Sequence, residues 1–527
     1  MKMDGILGLF QEFIKLLNFP VLAVLFGSTI LGVIIGALPG LSATMGIALL
    51  TGLTYKFPVV YTFAILMGVY VGAIYGGSIS AILLNIPGTA SAAATALDGH
   101  PLALQGKAET AIKVTRLASV FGTFFGVLAL ALISPLMTKV ALLFTSPEYF
   151  MLALFGVLIC GSIVNMDIPL KGWIGGVLGL LVAMIGMDRL QGASRFDGGI
   201  VELMGGISLV PAMIGFYAVP EVIKAFSQKD GDIKIGQVKD TVKEKESIFR
   251  IVFKNVRLVI QSCLIGLGIG ALPGVGEDVA AWVSYDTAKK TSKHPEKFGT
   301  GSYEGCIAPE VANNAAIGGA LIPMLTLAVP GSPPAAVLLG ALMIHSIRPG
   351  PMIMRDNPAF LNYIAALLFL AVLALWLAGI LMAKPMTKIL KVPKVYLMPI
   401  VATLSIVGAY AINNRAFDIV IALVFGILGY FLDKMKYSPA PIVLGIILGG
   451  MIDENFRRSL MVSSGNPMIF LTHPISLLFL VVIVFTIFRQ VRKTKKQKQV
   501  TTAGVMMAQE DAMQTNTDDE SGNDLDA

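Results

Sequence analysis

The chain has 527 residues, of which 55% are hydrophobic and only 14% charged, and its formal net charge is +7. A soluble domain carries about 25% charged residues, so most of this chain does not face water, and a row of soluble domains is excluded. The lysines and arginines sit in loops and at the C-terminal flank, with no basic stripe interleaved with aromatics; this argues against nucleic acid and points to the lipid bilayer as partner.

In chain order, residues 1–19 read as an interfacial amphipathic helix. Ile6, Leu9, Phe10, Phe13, Leu16 and Leu17 share one helical face, with Asp4, Glu12 and Lys15 elsewhere. No secretory signal pattern is present. A first transmembrane repeat over 20–223 carries apolar spans at 20–37, 59–84, 115–143, 148–165, 169–187 and 203–219. Residues 224–254 form a polar linker of mixed charge that divides the chain almost in half. A second repeat over 255–452 has spans at 255–272, 311–329, 358–383, 394–412, 416–432 and 439–452, and an extra C-terminal span within 453–488 follows. Shorter apolar pieces at 42–54, 278–288 and 333–346 suit half-helices. The tail, 489–527, is basic and then acidic, a composition that predicts disorder. The expected fold is an all-α polytopic membrane protein of about twelve helices plus re-entrant or broken half-helices. The positive-inside rule places linker and C-terminus in the cytoplasm.

Two motifs recur on either side of the linker. Gly36-Ala37-Leu38-Pro39-Gly40 is repeated as Gly270-Ala271-Leu272-Pro273-Gly274, each closing an apolar span. The segment from Gly76 to Thr89 parallels that from Gly318 to Ser332: a glycine pair, an apolar run, then Pro87-Gly88-Thr89 or Pro330-Gly331-Ser332, then an alanine-rich stretch. Proline removes a helical hydrogen bond and glycine permits the backbone angles that follow. Inside a bilayer the freed N–H and C=O groups need a polar partner, and paired interruptions in two halves point to a substrate site. An odd number of crossings in the first half would invert the second and place the N-terminus outside; a parallel arrangement stays open.

Hydroxyls, amides and freed N–H groups near these motifs suit a carboxylate: Ser42, Thr44, Asn85, Thr89 and Ser91 in the first half, and Gly276, Asn313, Asn314 and Ser332 in the second. Singly, each hydroxyl reads first as a helix cap or an interhelical bond, and only convergence of both clusters makes a site. Asp98, Glu277, Asp278, Glu304 and Glu310 lie beside the motifs and are candidates for binding a coupling cation, Na+ or H+; the alternative is a place at the water boundary. Cys160, Cys263 and Cys306 are isolated, and His100, His294, His345 and His473 lack ligand spacing, so no metal and no cofactor is expected.

The stretches 36–50, 72–109 and 270–351 carry these motifs, and through them the chain resembles the large membrane subunit (TctA) of the tripartite tricarboxylate transporters. The resemblance implies cation-driven uptake of citrate or related carboxylates across a bacterial inner membrane. It implies two partners, a solute-binding protein that delivers substrate and a small four-helix membrane subunit. The site it implies involves Pro39, Gly40, Asn85 to Thr89, Pro273, Gly274, Asn313, Asn314 and Pro330 to Ser332. The chain departs from the family pattern at His100, where a tyrosine is usual, and at Ser346, where a glycine is common.

Two other readings compete. A membrane enzyme acting on a lipid or phosphate would use Glu277, Asp278 and Ser284, but no Walker loop, nucleophile elbow or HExxH string is present. A passive anion channel would need a continuous polar lining, whereas the polar residues cluster at two repeat-related points.

Overall fold

The computed structural model describes residues 2–492 except 165–167, 189, 228–245, 358, 391, 393 and 491. Most of the polar linker and nearly all of the tail therefore lie outside the described residues. The first half contains α1 (Lys2–Leu16), α2 (Phe19–Ala37), α3 (Ala43–Leu53), α4 (Val59–Leu84), α5 (Ala92–Leu104), α6 (Ala108–Ala141), α7 (Ser146–Val164), α8 (Pro169–Ala183), α9 (Leu209–Tyr217) and α10 (Val219–Ser227). The second contains α11 (Ile248–Lys254), α12 (Val256–Gly270), α13 (Gly276–Thr291), α14 (Tyr303–Leu327), α15 (Pro333–Ile344), α16 (Ile353–Asp356) and α17 (Phe360–Ile389). It continues with α18 (Lys394–Asn413), α19 (Ala416–Lys434), α20 (Pro439–Val462), α21 (Ile469–Thr472) and α22 (Pro474–Gln490).

The protein is an all-α polytopic membrane protein. Among the described residues eight helices are long and apolar enough to cross a bilayer, and α11 and α12, bent by 71° at their junction, form a ninth candidate. The sequence reading of about twelve counts others that are too short, such as α8, or too polar, such as α14 with its buried Glu310, Asn313 and Asn314. Both ends of the linker are helical: α10 runs on to Ser227, and α11 occupies 248–254. α20 passes unbroken through residue 452. α1 packs on α17 through Phe13, whose ring meets Phe369 edge-on at 5.4 Å, while Phe10 and Ile14 stay exposed.

Two matched helix pairs form the centre. α2 packs on α4 through Gly32 and Gly36; a Cβ on either would stand 2.6 Å from Val69 O or 2.0 Å from Ala73 O. α12 packs on α14 through Gly266 and Gly270, where a Cβ would stand 2.2 Å from Ala312 O or 2.5 Å from Ala316 O. Both are glycines spaced by four, which lets the backbones touch and replaces the hydrophobic drive that lipid does not supply. α4 ends on the left-handed residue Asn85 (φ 56°), and α14 ends on left-handed Ala328 (φ 58°).

The halves run in opposite directions. α3 ends beside the segment that follows α15, with the Tyr55 and His345 rings 6.5 Å apart. α5 ends beside the loop that follows α13, where the Gln105 amide donates to Thr300 O at 2.7 Å. The first short helix of one half thus points to the same face as the second short helix of the other, the pattern of an inverted repeat.

Candidate substrate site

The four Pro-Gly turns lie in one neighbourhood. Gly40 (φ 91°) and Gly274 (φ 68°) occupy the left-handed region that turns α2 into α3 and α12 into α13. Each turn sits against the Pro-Gly turn of the same half. The Gly88 N–H points to Gly77 O at 3.5 Å, and a Cβ on Gly88 would stand 1.9 Å from Gly36 O. The Gly331 N–H points to Ala320 O at 3.4 Å, and a Cβ there would stand 1.9 Å from Gly270 O. Gly274 N–H donates to Pro330 O at 3.0 Å.

The halves join at α13. The Tyr70 hydroxyl of α4 donates to Glu277 and lies 2.9 Å from Ser332 Oγ, and Glu277 also accepts from Ser332. Next to it, the Asp278 carboxylate accepts the backbone N–H of Ser91. The Ser332 hydroxyl and the amide at the start of α5 are the groups the sequence offers to a carboxylate. Here they hold the chain's own two carboxylates. Ser332 caps α15 through Ala335 N (3.3 Å), and Ser42 caps α3 through Met45 N (3.1 Å).

A cavity of about 230 Å³ borders the first pair of turns, lined by Gly40, Ser42, Gly88, Thr89 and Ala90 on one side and by Tyr217, Lys224 and Tyr437 on the other. Lys224 bridges Glu221 (2.7 Å) and Asp433 (2.9 Å), and the Tyr217 hydroxyl has no partner among the described residues. A second cavity, about 750 Å³, opens at the opposite end of α20 and reaches Ala328, just before the second Pro-Gly turn. Ile442 lines the first cavity and Ile446 the second, so one helical turn separates them along α20. Between these residues Leu444 packs on Gly274 and Cys160: a Cβ on Gly274 would stand 3.0 Å from Leu444 Cδ2 and 2.5 Å from Cys160 Sγ.

The remaining candidates divide. Glu310 is fully buried on α14 and accepts from Thr95 Oγ1 (2.6 Å) and Ser119 Oγ (2.9 Å), with no basic partner among the described residues. Asn313, one turn away, is also fully buried, and its Nδ2 finds no acceptor in hydrogen-bond geometry among the described residues. Asn314 is consumed by the fold: Nδ2 donates to Glu310 O and Asn313 Oδ1, and Oδ1 accepts from Thr123. Asn85 is exposed and lines neither cavity, and its twin Ala328 has no polar side chain; the left-handed backbone accounts for asparagine there. Thr44 is buried on α3 and lines neither cavity.

Asp98 is a loop anchor rather than a member of the turn cluster. Its Oδ1 accepts the N–H groups of Gly299, Gly301 and Ser302 at 2.8–3.0 Å, and Oδ2 accepts the Tyr285 hydroxyl at 2.8 Å. Glu304 accepts from Ser292 Oγ (2.6 Å) at the same loop, away from the turns. His100 Nδ1 lies 3.0 Å from Ile82 O, and Ser346 (φ 59°) holds a left-handed position where glycine is the relaxed choice. Tyr70, Tyr217, Lys224, Thr95 and Ser119 escape the sequence reading. A tyrosine on the glycine-rich face of α4 is a usable signal for Tyr70; Thr95 lies within the 72–109 stretch with nothing to set it apart, and Tyr217, Lys224 and Ser119 stand outside any motif.

Residues 22–444 match the Tripartite tricarboxylate transporter TctA family. The chain belongs to this family. The match covers nearly all of both halves and every Pro-Gly turn described above. Two proteins of Agrobacterium vitis are similar to this TctA chain. One, an uncharacterized 52.8 kDa protein in the TAR-I ttuC' 3' region, is 37% identical over 452 residues, 86% of this chain and 89% of the relative. The other, an uncharacterized protein in the TAR-II ttuC' 3' region, is 36% identical over 233 residues, 44% of this chain and 96% of the relative. No solved structure matches the chain.

Proposed function

We propose that this chain is the large transmembrane subunit of a cation-coupled secondary transporter that takes up tricarboxylates or related carboxylates across a bacterial cell membrane. A solute-binding protein would deliver the substrate, a small four-helix subunit would complete the complex, and the linker and C-terminus would be cytoplasmic. One observation carries the reading: two cavities open at opposite ends of α20 and stop one helical turn apart, where Leu444 packs on Cys160 and on Gly274 of a Pro-Gly turn. Alternating access needs such a thin, movable barrier around a fixed site. A channel needs a continuous lining instead. An enzyme that used Ser284 would need a base beside it, and its hydroxyl donates to Ala308 O at 2.9 Å.

The substrate would sit where Gly40, Ser42, Gly88, Thr89 and Ser91 meet Pro273 to Gly276 and Pro330 to Ser332. The N-termini of α5 and α15 present freed N–H groups there, and their dipoles favour negative charge. Glu277 and Asp278 already hold two of these positions, and a substrate carboxylate beside them would be repelled unless they are neutralised. Glu310, buried against two hydroxyls without a basic partner among the described residues, needs the same neutralisation. A proton or a Na+ ion arriving with the substrate supplies it, which is the physical basis of coupling.

The test is uptake of labelled citrate by proteoliposomes holding the whole complex, with Na+ and pH gradients imposed separately. Wild type is expected to accumulate label under one of them. Glu277→Gln and Glu310→Gln are expected to lose gradient-driven accumulation by about tenfold or more while retaining counterflow, since each removes a charge that the coupling ion must neutralise. Flux indifferent to both gradients would indicate a channel, and chemical conversion of citrate an enzyme.

A further inference from the structure

The larger cavity is lined by four arginines, Arg195, Arg348, Arg457 and Arg458, against two acids, Asp453 and Glu454. Three of the arginines are committed. Arg195 binds Asp453 at 2.9 Å, Arg457 binds Asp188 at 2.5 Å and Asp453 at 3.0 Å, and Arg458 binds Glu454 at 2.5 Å. The Arg457 guanidinium and the Leu190 N–H hold the Asp188 carboxyl well below the ordinary carboxylate range, so this clamp stays charged at any physiological pH. Among the described residues Arg348 is the one arginine of the cavity without an ion-pair partner.

Its place is fixed by the backbone. Ser346 takes a left-handed turn after α15, and Gly350 N–H then donates to Leu325 O in the last turn of α14 at 2.9 Å. Gly350 packs beside Ala328, where a Cβ would stand 3.9 Å from the Ala328 Cβ. The Ser346 to Gly350 segment is thereby laid over the end of α14, immediately before Pro330 and Gly331. Arg348 is exposed there, at the meeting of the large cavity with a smaller one bordered by Asp356 and Asn357. The paired charges cancel inside the larger cavity, which leaves Arg348 as its uncompensated cation.

We infer that Arg348 is an anion-capture residue: it draws a carboxylate substrate into the cavity at the end of α20 away from Lys224 and hands it to the second Pro-Gly turn. This rests on the transport reading above. A guanidinium binds a carboxylate through two parallel N–H···O bonds, and an unpaired one at a cavity mouth raises the local anion concentration and the association rate.

The test uses the same proteoliposomes with labelled citrate on the side to which this cavity opens. Arg348→Gln is expected to raise KM about tenfold with Vmax within about twofold of wild type, the signature of a lost rim charge. Arg348→Lys is expected to recover part of the loss, because it keeps the charge but not the fork. The charge-neutral double variant Arg458→Gln with Glu454→Gln, which removes one ion pair of the same cavity, is expected to leave KM nearly unchanged. Wild-type KM should rise between about 20 and about 300 mM salt, as the Debye length shrinks from roughly 20 Å to roughly 6 Å, and Arg348→Gln should flatten that rise. An unchanged KM in Arg348→Gln, a loss confined to Vmax, or a wild-type KM indifferent to salt would overturn the inference. Absence of citrate transport by wild type would strike the transport reading instead.

Discussion

Replacing Gly88 or Gly331 by alanine is expected to remove nearly all uptake. The added methyl on Gly88 would stand 1.9 Å from Gly36 O, and that on Gly331 would stand 1.9 Å from Gly270 O. Neither obstacle is the end of a flexible side chain; each is the backbone of the helix that carries the companion Pro-Gly turn. Neither glycine has a left-handed φ, so alanine suffers no conformational penalty and the whole effect is steric. Overpacking of this kind costs about 1–3 kcal/mol where neighbours can yield, and more where they are backbone. The two turns would have to separate, which opens the proposed site. Gly268→Ala is the control: it lies on α12 between the packing glycines, and nothing stands within 4 Å of its Cβ position. Uptake by the three variants, alongside their thermal midpoints in detergent, checks this. Normal kinetics in both Gly88→Ala and Gly331→Ala would mean that the turns do not need their close approach.

Asp98→Ala is expected to produce the largest loss of stability among the acidic residues. Four donors converge on this one buried side chain, three of them backbone N–H groups from a single loop and one the Tyr285 hydroxyl. Gly305 leaves room for it, since a Cβ there would stand 2.0 Å from Asp98 Oδ2. Removing an acceptor that serves one buried and three partly buried donors costs about 2–4 kcal/mol, since water can reach part of the loop that loses its partner. Asp98→Asn keeps one acceptor oxygen and is expected to fall between wild type and Asp98→Ala. The thermal midpoint of the purified protein reads the effect, and the protein that does fold should keep its KM and its ion dependence. A variant with wild-type stability but lost coupling would return Asp98 to the group of coupling residues.

How far the sequence reaches differs by feature. The spans are legible because lipid selects unbroken apolar runs, as in Phe19–Ala37 and Phe360–Ala383. The turns are legible because Pro-Gly inside such a run has a backbone consequence wherever it stands, and the repeat because five residues recur unchanged. The glycines spaced by four at 32/36 and 266/270 are readable too, as a packing signature. The role of a polar side chain is much less so. Asp98 finds its partners about two hundred positions away, and Asn314 spends all its bonds tying α14 to α6 and to its own helix. Asn85 suits a ligand role because it is polar, yet at the equivalent place in the second half the same backbone is made by Ala328. The far wall of the smaller cavity comes from the end of α9, α10, α19 and the connection into α20, which carry no recurring string, so Tyr217, Lys224 and Tyr437 have no local mark.

The most direct measurement of the central claim is protection of a single reporter thiol. Ala90 is exposed, lines the smaller cavity beside Gly88 and Thr89, and makes no side-chain hydrogen bond, so Ala90→Cys places a thiol at the turns without removing a contact. The native Cys160, Cys263 and Cys306 are buried. The rate of its modification by a water-soluble thiol reagent is followed in the complex with and without citrate, with Val462→Cys at the exposed end of α20 as reference. Citrate is expected to slow modification of the Ala90→Cys variant about tenfold and leave the Val462→Cys rate unchanged, as occupancy of a site well above its dissociation constant would do. Equal rates for the Ala90→Cys thiol with and without citrate, in protein that transports it, would place the substrate elsewhere.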